Sequence, residues 1–88
     1  MTAQHTPGPW EVADCLMNED ERWVHSSELG GVIAGVWPWG DDEVGEQQRE
    51  ANARLIAAAP RMYDYISARA DTGDAEAVAI LEAIHGNA

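Results

Sequence analysis

The chain has no lysine, no phenylalanine and a single cysteine, and it contains no long apolar run. Five arginines stand against 16 acidic residues, for a formal net charge of -11. A chain of that sign repels nucleic acid and anionic membrane surfaces and is drawn to basic proteins. The lone Cys15 excludes an intramolecular disulfide and fits a reducing compartment. No segment approaches the roughly 20 apolar residues of a membrane span. The opening "MTAQHTPGPW" also lacks the basic and apolar regions of a signal peptide, so a soluble, cytoplasmic protein is expected. Without phenylalanine, four Trp, two Tyr and a modest aliphatic set must supply the core. Eighty-eight residues allow one small domain, which buries about two-thirds of its unfolded surface as a monomer. Cores of this size are often completed by a second copy, so a homodimer is a natural expectation.

What is present reads as three strands followed by helices. Residues 1–9 form an irregular arm, because Pro7 and Pro9 bracket Gly8. "WEVADCL" from Trp10 alternates, with Trp10, Val12 and Asp14 on one side. "MNEDE" is a polar turn and "RWVHSS" a second strand. After Gly30 and Gly31, "VIAGVW" is a third, predicted to place Val32, Ala34 and Val36 on one face. Together, residues 10–37 read as an antiparallel meander. Pro38 and Gly40 end it, and Asp41 or Asp42 caps a helix running from Glu43 to about Ala59. Its expected apolar face is Val44, Gln48, Ala51, Leu55 and Ala58, with Asn52, Ile56 and Ala59 beside it, and Glu50 and Arg54 stand four apart. Pro60 suits the first turn of a new helix, so it is read as a corner. "DTGD" breaks the chain again, and Asp74 caps a last helix with Ala77, Ile80, Leu81 and Ile84 in one stripe. Residues 43–86 are thus the helical part of a single α+β domain: a small three-stranded antiparallel sheet followed by two or three helices packed on it.

Two of these segments, "HTPGPW" at 5–10 and "EANARLIAAAP" at 50–60, resemble a widespread group of small phage- and prophage-encoded proteins. That group opens on a Thr-Pro-Gly-Pro-Trp motif and carries an "ANARLIAAAP" helix. The direct match covers under a quarter of the chain. It departs after Pro60, where a leucine-rich continuation is usual and "RMYDYI" stands here. The resemblance implies a phage or mobile-element setting, hence the host cytoplasm, and it transfers no functional residues. The chain is similar to anti-CRISPR proteins in size and acidity only.

Motifs for chemistry are missing. His5, His25, His85 and Cys15 are scattered, without a close pair of ligand spacing. "DDE" at 41–43 lacks the spaced oxygen donors of a calcium loop and reads as a helix cap. Cys15 with His25 has no third group to orient it, and "GGVIAG" is no phosphate loop in a protein without lysine. Neither an enzyme nor a metal or cofactor site is expected. Direct nucleic-acid binding is disfavoured by the dispersed arginines.

The candidate contact surface is "WPWGDDE". Trp is enriched at binding hot spots, and Trp37 and Trp39 flank a proline that interrupts the pleat. The favoured alternative has one or both indoles closing the open end of a core short of large residues. Acidic residues cluster in "NEDE", "DDEVGE" and "DTGDAE", and sequence leaves open whether they share a face. The expected function is a small, acidic, phage- or prophage-encoded interaction protein that inhibits a host defence complex such as CRISPR. It would block a basic nucleic-acid-binding surface of a host protein or nucleoprotein complex. The residues expected to make the contact are Trp37, Trp39, Asp41, Asp42, Glu43, Glu46, Glu19, Asp20 and Glu21. The alternative is a non-enzymatic structural or regulatory phage protein acting as a homodimer, without nucleic-acid mimicry.

Overall fold

The alternating stretches pair into a three-stranded antiparallel sheet in the order β1-β2-β3, formed by Trp10–Asp14, Arg22–Ser26 and Val32–Val36. Three helices follow: α1 (Glu43–Ala57), α2 (Ala59–Asp71) and α3 (Ala75–Ile84). The computed structural model describes residues 5–15, 19–40 and 42–86. The α+β class and the meander are as expected. Only α1 lies along the sheet, whereas α2 and α3 pack chiefly on each other.

One sheet face carries Trp10, Val12, Val24, Ala34 and Val36, and it meets Ala53, Ile56 and Ala57 of α1. Val24 and Ala53 are completely buried. Burying one valine contributes roughly 1.5–3 kcal/mol, so this small cluster carries much of the fold. The predicted face of β3 needs one correction. Val24 pairs with Ala34 and His25 with Val32, leaving Ile33 as an extra residue in a bulge. The bulge shifts the alternation, so Val32 moves to the outer face while Ile33 packs towards the core.

The predicted face of α1 is corrected in part: Ile56 packs on the core as expected, but the stripe of Val44 and Leu55 does not. Its buried residues are Gly45, Arg49 and Ala53, while Val44 is 60% and Leu55 61% exposed. Ala53 packs on the sheet, while Gly45 lies against the Gly40 backbone of the loop before α1, where a Cβ would fall 2.8 Å from its carbonyl oxygen. Between them Arg49 lies flat, donating from its guanidinium to the carbonyl of Asp20 at 3.0 Å. Glu50 does not turn to Arg54 but to Arg22 of β2, at 2.7 Å, and to Arg49, at 3.2 Å. An ion pair tied to the sheet displaces the expected pair within the helix. The cap is Asp42, whose carboxylate accepts from the Gly45 N–H at 2.7 Å.

Of the expected arm, residues 1–4 lie outside the described residues, and residues 5–9 are irregular but firmly held. Ser26, completely buried, donates its hydroxyl to the carbonyl of Pro7 at 3.2 Å, and the Ser27 N–H donates to the carbonyl of Pro9 at 3.0 Å. The Trp10 indole donates to the carbonyl of Thr6 at 3.1 Å. These bonds press Gly8 against Pro60 so closely that a Cβ at Gly8 would fall 2.8 Å from the proline Cβ. The "TPGPW" arm and the proline ending "LIAAAP" therefore form one joint. Pro60 occupies the first turn of α2, as its missing N–H allows.

Beyond that corner α2 and α3 form a hairpin, tied by a bond of 2.7 Å between the Tyr63 hydroxyl and His85 Nε2. Asp74 caps α3, accepting from the Ala77 N–H at 3.1 Å. That backbone bond, with a further contribution from Arg69, holds its carboxyl below the usual carboxylate range. A depressed value favours the fold above the ordinary aspartate range, and the benefit is lost as the pH falls through the folded value. Asp74→Asn keeps an acceptor but has no charge to lose. The stability advantage of the natural protein over Asp74→Asn is therefore expected to shrink as the pH falls through that window, as followed by thermal melts across the acid range.

Candidate functional site

Antiparallel pairing sets Asp14, Arg22 and Val36 side by side, so the end of β1, the start of β2 and the end of β3 share one end of the sheet. The chain enters β2 there through residues 19–21 and leaves β3 there through residues 37–40. It then starts α1 at Glu43, which runs back along the sheet. Two of the three acidic segments thereby lie at the same end of the sheet. Asp14, Glu19, Glu21 and Glu50 contact Arg22, Asp20 and Glu50 contact Arg49, and Asp42, Glu43 and Glu46 open α1 about one to two turns before Arg49.

Both arginines are paired there, although among the described residues the buried Arg49 Nε itself has no hydrogen-bond partner. Arg22 reaches Asp14 at 3.4 Å and Glu50 at 2.7 Å, and donates to the carbonyl of Glu19 at 3.1 Å. Each guanidinium folds inward, so the exposed rim of Glu19, Asp20, Asp42, Glu43 and Glu46 is dominated by negative charge. The acids of α1 also lie at its positive dipole end, which stabilises them there. Asp41 falls outside the described residues. The third acidic segment, residues 71–76, lies at the far tip of the α2–α3 hairpin and takes no part. The 13 residues of α2 separate it from the corner at Pro60, about 20 Å along the helix.

The indoles do not close the core. Trp37 is 56% and Trp39 87% exposed, which corrects the expectation that one or both cover its open end. The reason is that Ala34 and Val36 already face α1, while Trp37, next after Val36, turns to the outer face. Among the described residues no helix lies over that face, since α1 occupies the other side. Trp37 lies over Gly35, where a Cβ would fall 3.1 Å from its ring and 2.5 Å from the Glu21 carboxylate. The same carboxylate accepts from the Trp23 indole N–H at 2.7 Å. Glycine at 35 is thus what lets Trp23, Glu21 and Trp37 share one patch. Trp23 was not among the residues singled out from sequence. Its alternation with the buried Val24 was the available signal.

Cys15 and His25 are not brought together. Cys15 follows the Asp14 end of β1, whereas His25 stands opposite Glu11, 4.0 Å from its carboxylate. Among the described residues no group of three His, Cys, Asp or Glu is placed to hold a metal ion. None of the helices there is long and apolar enough to cross a membrane.

The fold and this corner define a small acidic α+β protein with an exposed tryptophan pair beside clustered carboxylates. A family model described as Salmonella phage P22 protein Y8K6 matches residues 1–84. The chain belongs to that phage protein family. No curated protein and no solved structure matches it.

Proposed function

We propose that this member of a phage protein family is a non-enzymatic interaction protein. It binds a basic surface of a host protein or nucleoprotein complex through the acidic end of its sheet. The observation that carries the reading is the placement of residues 19–21 and 42–46 at one end of the sheet with the exposed Trp37 and Trp39. Clustered carboxylates steer a basic partner and speed encounter. Indoles can lie on guanidinium groups and supply the area that charge alone lacks. Duplex DNA presents one charge per about 1.7 Å of axis, and a dense acidic rim competes for the same basic groove. The partner class we favour is therefore the nucleic-acid-binding surface of a host defence complex, such as a CRISPR effector, blocked sterically and electrostatically in the host cytoplasm.

Capture from a host lysate tests this. The tagged protein is expected to recover a basic nucleic-acid-binding assembly at low salt and to release it at high salt, with mass spectrometry identifying the captured chains. Recovery of no basic protein, or capture indifferent to salt, would contradict the proposal.

A further inference from the structure

The other end of the molecule carries a second surface, independent of the acidic corner. An apolar groove of about 400 Å³ runs between the arm and the helical hairpin, lined chiefly by Trp10, Met62, Tyr63, Ile66, Ile80 and Ile84. Ile80 is 39%, Met62 44% and Ile84 52% exposed. We propose that its occupant is a second copy of the chain, docked hairpin to hairpin about a two-fold axis.

Area argues for a permanent partner of this size. The chain exposes 6351 Å² at a mass of 9.6 kDa, for which a compact monomer exposes about 5,100 Å². The excess is on the order of 1,000 Å² per chain, and a pair that hid it would bury on the order of 2,000 Å², the range of obligate homodimers. Shape agrees. The radius of gyration is 15.3 Å, against about 12 Å for a compact chain of this length, because the hairpin stands off the sheet. Helices this short are marginal unless an apolar face is covered, and α2 and α3 bury only Pro60, which lies against Gly8 of the arm, and Ala77. Two hairpins face to face make a four-helix arrangement in which each copy contributes the same patch.

Charge points to the same occupant. Two chains of net charge -11 associate only where that charge is thin. The groove-bearing parts of the hairpin, residues 59–66 and 77–86, carry just Arg61, Asp64 and Glu82 as charged side chains. Pairing there leaves both acidic sheet ends outward, and the dimer would present two copies of the proposed binding corner.

The mass in solution decides the matter without any host partner, so its outcome is separate from that of the lysate capture. Light scattering on the eluted protein is expected to give twice the 9.6 kDa of the chain. Ile84→Glu is expected to give the single-chain mass, while Val44→Glu, at an exposed apolar position of α1 outside the groove, stays paired. The natural protein should also melt at higher temperature as its concentration rises, as coupled folding and association requires. That readout stands even if Ile84→Glu fails to fold. A single-chain mass for the natural protein, a melting temperature indifferent to concentration, or a dimer that survives Ile84→Glu would each overturn the proposal.

Discussion

Gly8→Ala is expected to lower the melting temperature by roughly 5–20 °C, the scale of a 1–3 kcal/mol overpacking cost in a domain this small. The added methyl carbon would fall 2.8 Å from Pro60 Cβ and 3.2 Å from its Cγ. Neither side can yield easily. The proline ring is rigid and completes the buried corner between α1 and α2. The arm is fixed by the bonds from Ser26 to Pro7 and from Ser27 to Pro9. Relief of the clash therefore breaks at least one of those bonds, and the buried Ser26 hydroxyl then loses its acceptor at further cost. Gly31→Ala supplies the control, because nothing lies within 4 Å of its added carbon. Thermal melts by circular dichroism compare the two. Equal melting temperatures would show that the two halves of the motif are merely neighbours.

Replacing Trp37 and Trp39 together by Ala is expected to leave the melting temperature within a few degrees and to weaken binding of a basic partner by at least tenfold. Their exposures of 56% and 87% leave little burial to lose. Trp37 contributes packing over Gly35, but the Glu21 carboxylate stays bonded to Trp23 without it. On the binding side, two tryptophans at a hot spot are worth 2 kcal/mol or more, roughly thirtyfold. A double variant that melted well below the natural protein would instead mark these indoles as part of the fold.

The elements were largely legible because their signals are local. Strand alternation, the caps at Asp42 and Asp74 and the corner at Pro60 all act over three or four residues. The errors came from contacts between elements. No periodicity announces the bulge at Ile33 that turns Val32 outward. On α1 the helical stripe of Val44 and Leu55 looked like a core face, yet it is Ala53 and Ile56 that pack on the sheet, and Arg49 that reaches Asp20. The candidate site divides the same way. Each acidic segment was visible as charge, while the placement of residues 19–21 and 42–46 at one end of the sheet, and the separation of residues 71–76, follow from strand pairing and the run of α2. Trp23 was missed because its role depends on the Gly35 opposite it.

The central claim is that the acidic end of the sheet, and no other surface, receives a basic partner. An NMR titration with an arginine-rich peptide reads this directly, because each of the four tryptophans reports through its own indole N–H signal. The account predicts that the signals of Trp23, Trp37 and Trp39 shift together with the amides of residues 19–21 and 42–46. Trp10, at the opposite end of β1, should stay in place. Shifts spread evenly over the carboxylates, or confined to residues 71–76 at the hairpin tip, would contradict it.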